Sequence, residues 1–231
     1  MNFKSFIFVI VGVLTPFISK SQISIYVGEG LGSYQFYQGE LTNIAWEFNN
    51  HTGITKEMNP NRSFNGLAFG TNVNAGRFNF GIDWTRKKNK FGGEYEVGAI
   101  KVTDNYIESL NSFYLNFGIG NKIDFSSIKE DKKIVWRVQT DIGLYKFRIK
   151  EELTGSPNDF NEILGERKEI SLRLAFNAWF PITKKLRFNV MPYYELNTSG
   201  GYVELLIDKT YDNQLYNINH FGVNLNLDYA F

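Results

Sequence analysis

Apolar and polar residues alternate along most of this chain with a period of two, the signature of strands with one apolar face. The last segment is the cleanest. Phe221, Val223, Leu225, Leu227, Tyr229 and Phe231 share one parity, and Gly222, Asn224, Asn226, Asp228 and Ala230 share the other. The same pattern predicts strands over 64–73, 78–85, 113–120, 134–144, 170–180 and 186–195, and residues 23–36 bring the count to eight. Within the first of these, Glu29 has the parity of Ile25, Val27 and Leu31. Either Glu29 faces the same way as the apolar residues, or those residues face inward, or a bulge resets the parity; the pattern leaves this open.

The connections sort by length. Residues 74–76, 125–131 and 181–184 are short links, whereas 37–61, 89–105, 149–167 and 198–215 are long. An even number of strands, with short turns at one end and long loops at the other, suits an up-and-down barrel crossing an outer membrane, with both termini on the periplasmic side. A soluble sandwich would bury its apolar faces against each other. Here those faces are rich in Phe, Trp and Tyr, as lipid-facing surfaces are. The polar faces carry many Gly and Ala, which suits a narrow lumen. The fold expected is therefore an all-β, antiparallel, eight-stranded transmembrane barrel over 22–231.

The first 21 residues read as a cleaved signal peptide. Lys4 precedes an apolar run from Phe6 to Leu14, Pro16 follows, and Ser19-Lys20-Ser21 supplies small residues ahead of a cut before Gln22. The apolar run is too short to span a bilayer as a helix. A formal net charge of +1 gives no field to draw nucleic acid. The absence of cysteine excludes disulfides, thiolate metal sites and a lipid-modified N-terminal cysteine.

On this topology, and on the closing segment from Asn219 to Phe231, the chain resembles the small outer-membrane barrels of the OmpA transmembrane-domain and OmpX type, over residues 22–231. The resemblance implies that the terminal aromatic, Phe231, is an assembly signal read by the outer-membrane assembly machinery. Members of that group serve as structural proteins, adhesins, defence factors and lipid A enzymes. The expected function is a non-enzymatic outer-membrane barrel with a structural or loop-mediated role. Its rivals are a lipid-modifying enzyme of the same fold and a barrel subunit of a secretion or assembly complex.

Inward parity collects Asp83, Arg137, Asp141, Arg173, Arg187, Glu195 and Asp228, a lumen charge network that plugs the bore through paired charges. Arg86, Lys87, Lys88 and Lys90, with Lys146, Arg148 and Lys150, cluster where strands leave the membrane outward and offer contacts for lipopolysaccharide phosphates. The periplasmic turns are basic as well, through Lys129, Lys132, Lys133, Lys184 and Lys185. His51 falls in a long loop; His220 shares the inward parity of Asn224 and reads as a hydrogen-bonded rim residue rather than a catalytic base. No catalytic, metal or cofactor set is expected. The partners expected are outer-membrane lipid and lipopolysaccharide, the assembly machinery, and a protein at the extracellular loops. For the last, Tyr202, Val203, Leu205, Leu206 and Ile207 in 198–215 offer a strand edge.

If Phe231 is an assembly signal it acts before folding. Deleting it should lower the amount of barrel inserted in cells far more than it lowers the stability of barrels refolded in detergent. Equal losses in both assays would reduce it to a packing residue.

Overall fold

A computed structural model describes residues 22–34, 40–61, 63–121, 134–157, 159–197, 202–204, 215–217 and 219–231. The proposed signal peptide and the predicted 125–131 turn, with Lys129, Lys132 and Lys133, lie outside the described residues, as do Leu205, Leu206 and Ile207.

Eight strands close into one antiparallel ring. They are β1 (Gln22–Tyr34), β3 (Ser63–Ala75), β4 (Phe78–Val97), β5 (Ile100–Gly120), β6 (Val135–Thr154), β7 (Phe160–Pro181), β8 (Leu186–Asn197) and β11 (His220–Ala230). Neighbours in sequence are neighbours in the ring, and β1 closes it against β11. A helix α1 (Glu40–Asn49) and a short β2 (Ile54–Lys56) lie between β1 and β3. The short strands β9 (Tyr202–Glu204) and β10 (Leu215–Asn217) pair with each other.

The register fixes the barrel's dimensions. A row of paired residues starts at Lys168 on β7 and runs through Lys146, Asn111, Arg86, Leu67, Glu29, Leu225 and Val190. It returns to β7 at Ala178, ten residues from its start. With strands about 4.8 Å apart and a rise of about 3.3 Å per residue, a shear of ten on eight strands gives a tilt of about 41°. The backbone radius is then about 8 Å, so the bore holds side chains and little else.

The outward residues on β6 are apolar from Ile134 to Leu144, and those on β7 from Ile170 to Phe180. Ten residues at that tilt make a belt about 25 Å tall, the height of a hydrocarbon core crossed by a barrel. Among the described residues no helix is long and apolar enough to cross a membrane. Glu29 faces outward with Ile25, Val27 and Leu31, between Leu67 and Leu225, and β1 keeps a continuous register with no bulge.

Two of the four predicted long loops are mostly strand. Of 89–105, only Gly98 and Ala99 separate β4 from β5; of 149–167, only 155–159 lie outside β6 and β7. The lipid-face pattern misses these extensions because polarity changes hands without a change of parity. Above Leu144, the outward side of β6 becomes Lys146, Arg148 and Lys150, and the inward side becomes Phe147 and Ile149. On β4 the outward residues become Arg86, Lys88 and Lys90 while Phe91 turns inward. A register shift at Ile149/Lys150 then turns Leu164 of β7 into the same core.

In this upper storey the apolar residues face each other. Phe64, Phe91, Tyr106, Leu110, Phe147 and Ile149 pack with Ala45 and Phe48 of α1 and with Met58. Phe91 stacks on Tyr106, with ring centroids 5.5 Å apart. The predicted 37–61 loop thus contains a helix, whose Ile44, Ala45 and Phe48 fall on one face. Asn49 clamps the return chain: its Nδ2 donates to the Met58 carbonyl at 3.0 Å, and its Oδ1 accepts from the Met58 N–H at 2.8 Å. Beyond the point where β3 starts, β2 takes the free edge of β4.

One carboxyl in this storey is ill at ease. Asp104 is buried beside Glu151, and burial first, then the Glu151 charge, pushes it up to about 7. An acid raised in the folded state stabilises it fully below the unfolded value of about 4, and that contribution is lost as pH rises to about 7. Thermal unfolding in detergent should therefore show wild-type protein losing midpoint over that window relative to Asp104→Asn. Parallel pH profiles for the two proteins would contradict this.

Candidate functional site

The lumen is filled from end to end by side chains of inward parity, stacked in layers. Nearest the short turns, Arg137 is fully buried: Nη1 donates to Asn74 Oδ1 at 2.7 Å and Nη2 to the Gly76 carbonyl at 3.3 Å, and the guanidinium lies over Trp179. Asp228 accepts from Trp179 Nε1 at 3.1 Å and from Ser24 Oγ at 3.4 Å, with Arg187 Nη2 at 3.9 Å.

Above that layer a ladder of side-chain amides runs along the inner wall over β11, β8, β7 and β6. Asn226 Nδ2 donates to Asn189 Oδ1 at 3.0 Å, Asn189 to Asn177 at 3.2 Å, and Asn177 to Gln139 at 2.8 Å. Gln139 Nε2 then donates to Asp141 Oδ1 at 2.7 Å. Asp141 leads to the central ion group, in which Arg173 donates through Nε to Asp141 and through Nη2 to Asp83, all three fully buried. The Arg173 guanidinium also lies over the Tyr114 ring, 4.1 Å from its centroid.

The next layer holds two groups that the predicted network lacks. Lys87 Nζ donates to Tyr193 Oη, and lies over the Tyr193 and Phe64 rings. His220 Nε2 stands 3.2 Å from Glu195 Oε2, with the Phe64 and Tyr193 rings edge-on to its imidazole. Glycine on the facing strands makes room. A Cβ at Gly32 would lie 2.4 Å from the Phe64 ring, and one at Gly222 would lie 2.4 Å from Tyr193 Oη.

Three expectations change here. Lys87 is not an outer-rim contact for lipopolysaccharide: it is buried in the lumen, because it shares the parity of Asp83 and Thr85 rather than of Arg86 and Lys88. His220 is not a rim residue: it has 0% exposure, roofed by Phe64 and the apolar storey above. The seven inward charges do not form a single network. Asp83, Asp141 and Arg173 meet; Arg187 and Asp228 form a second group; Glu195 pairs with His220; and Arg137 rests on Asn74 and a backbone carbonyl.

The outward cations also divide. On β6 and β7, Lys146 lies 2.8 Å from Glu166, Arg148 donates to the same carboxylate through Nε at 2.8 Å and through Nη2, and Lys168 approaches it at 3.7 Å. Hydrogen bonds from Lys146 and Arg148 hold the Glu166 carboxyl down at about 2. Lys150 lies 3.7 Å from Glu152. On β4, Arg86, Lys88 and Lys90 are exposed. At the opposite end Lys184 and Lys185 are exposed, Lys185 lying over the Tyr229 ring. Phe231, also exposed there, packs edge-on to Tyr229 and donates its N–H to the Ile23 carbonyl at 3.0 Å.

His51 is exposed and lines a cavity of about 400 Å³ with Glu47 and Asp104 beside α1. Among the described residues no three His, Asp or Glu side chains converge as metal ligands.

No protein-family model matches this chain, and no curated protein matches it. Among the solved structures it is similar to are three barrels. Outer membrane protein OprG from Pseudomonas aeruginosa aligns at 9% identity, over 91% of this chain and 96% of that one, with a TM-score of 0.45. Neisserial surface protein A aligns at 13% identity, over 91% and 97%, with a TM-score of 0.39. The outer membrane protease OmpT from Escherichia coli aligns at 11% identity, over 91% and 96%, with a TM-score of 0.40. Likeness at this level carries nothing about activity.

Removing Arg173 would leave the fully buried Asp83 and Asp141 without their shared cation. Arg173→Met should cost about 3–5 kcal/mol in denaturant unfolding from detergent. Adding Asp83→Asn and Asp141→Asn should recover most of that loss. Arg137→Met, which strands no directly paired carboxylate, should cost less, on the order of 1–3 kcal/mol. Equal losses for the two single variants would contradict the separate groups.

Proposed function

We propose that this chain is an integral β-barrel of a Gram-negative outer membrane, with both termini periplasmic, a sealed lumen, and a non-enzymatic role exercised through its extracellular storey. The observation that carries the reading is the exchange of polarity along unbroken strands. For about 25 Å the outward side is apolar, Glu29 excepted, and the inward side polar; above Leu144 the two sides swap. Such a surface is stable only with hydrocarbon around the lower part and water around the upper part.

Other features agree. Gln22 and Ala230 end their strands at the end where Gly76–Arg77 and residues 182–185 make short turns. Trp46, 68% exposed on α1, gives the outer storey an aromatic contact surface. His220 has no exposed surface on which to meet a substrate, with the Phe64 and Tyr193 rings edge-on against its imidazole.

The test is electrical and electrophoretic. Folded protein in detergent should migrate differently before and after boiling, and reconstituted barrels should give little or no steady conductance in planar bilayers. A water-soluble monomer would overturn the membrane assignment. A stable, reproducible open channel would overturn the sealed lumen.

A further inference from the structure

The wall of the barrel is uneven at its outer rim. β1 and β3 end at Tyr34 and Ser63, level with the belt's upper edge, while β4 continues to Val97. The step leaves an outward groove of about 660 Å³ over β11, β1, β3 and β4. One register row crosses it: Val223 pairs with Leu31, Leu31 with Asn65, and Asn65 with Lys88. Along that row the outward side chain passes from apolar, through a neutral amide, to a cation. Because rows climb as they cross tilted strands, by about 3 Å per strand, the cationic end is also the higher one. Phe221 and Lys90 extend the two ends upward.

The charges at this end differ from those elsewhere on the rim. Glu166 and Glu152 already answer Lys146, Arg148, Lys150 and Lys168. Among the described residues, no carboxylate pairs with Arg86, Lys88 or Lys90, and all three are exposed. Glu29 lies one row beneath the groove, in the row of Arg86 but two strands from it. That leaves three cations to one carboxylate.

We infer that this groove binds a phosphate-bearing lipid of the outer leaflet, with an acyl chain along Leu31, Phe221 and Val223 and a phosphate at Lys88 and Lys90. The inference rests on the membrane assignment above and narrows the rim contact to one side of the barrel. Its chemistry is that of an anionic amphiphile: the apolar end excludes water, and the cationic end stands at headgroup height, where charges attract strongly. A soluble anion would find only the second half of the site. The β6–β7 cations, each already within ion-pair distance of Glu166 or Glu152, should contribute less.

The test uses the full barrel refolded in dodecylmaltoside, with every variant first checked for the folded electrophoretic form. Lipid carried in mixed micelles is titrated, and binding is read by native mass spectrometry. The probes are diphosphorylated lipid A, the same lipid A with both phosphates removed, and glucosamine 6-phosphate. Wild-type protein should bind the diphosphorylated form at least tenfold more tightly than the dephosphorylated one, and the sugar phosphate should not displace it. The Lys88→Gln/Lys90→Gln variant should lose tenfold or more; Lys146→Gln/Arg148→Gln should stay within twofold of wild type. Asn65→Trp, which fills the middle of the groove and removes no charge, should also weaken binding tenfold. Overturning results are unchanged binding by the Lys88/Lys90 variant, equal losses in the two double variants, or displacement by the sugar phosphate. A barrel that stays monomeric in water without detergent would instead defeat the membrane assignment itself, so the two failures are distinguishable.

Discussion

The bore of this barrel is too narrow for bulk water and too long to leave its polar atoms unanswered. Eight strands with a shear of ten enclose a radius of about 8 Å at the backbone, and side chains occupy most of that. Burial there favours partners for the inward polar groups, and most of the charged ones have them. The amide ladder from Asn226 to Gln139, the clasp of Arg173 on Asp83 and Asp141, and the layer of Lys87, Tyr193, Glu195 and His220 are answers to that constraint at successive heights. Glycines such as Gly32 and Gly222 belong to the same solution, since a methyl group there would collide with the rings that fill the centre.

The same strands solve the opposite problem a few residues higher. Once the surroundings change from hydrocarbon to water, an apolar outer face becomes a liability and an apolar interior becomes favourable. The chain meets both demands by exchanging the chemistry of its two faces between Leu144 and Phe147 on β6, and at corresponding heights on β4 and β5. Helix α1 and β2 complete the upper core where β1 and β3 fall short. The outcome is a polar, side-chain-filled lower half beneath an apolar upper core.

The membrane-spanning half was legible in the alternation, because a lipid-facing strand shows unbroken apolar parity from Phe221 to Phe231. The upper half was not, since a rule that looks for one constant apolar parity stops where the faces trade roles. Residues 89–97 therefore read as loop although they continue β4. Lys87 was misread for a simpler reason. Three consecutive basic residues cannot share a face of a strand, and its parity with Asp83 already pointed inward. His220 was correctly given inward parity, but its burial depends on Phe64, brought across from β3. The partners of Arg137 likewise depend on register with Asn74, which no local pattern contains. Glu29 is the reverse case: a carboxylate sharing the parity of Ile25, Val27 and Leu31 left its orientation open, and the continuous register of β1 places it outward.

Because the chain has no cysteine, single cysteines can report each surface without background. The most direct test of the polarity exchange is a cysteine scan along β6 in protein reconstituted into lipid vesicles. It reads labelling by a water-soluble maleimide and, for a fluorescent label, quenching by a lipid-phase nitroxide. Positions 138, 142 and 144 should be quenched from the lipid phase and resist the soluble reagent. Positions 148 and 150 should label from water and escape quenching, and 139 and 147 should resist both. Uniform labelling from water along the outward side, or lipid quenching that continues to position 150, would contradict the exchange of faces and the barrel built on it.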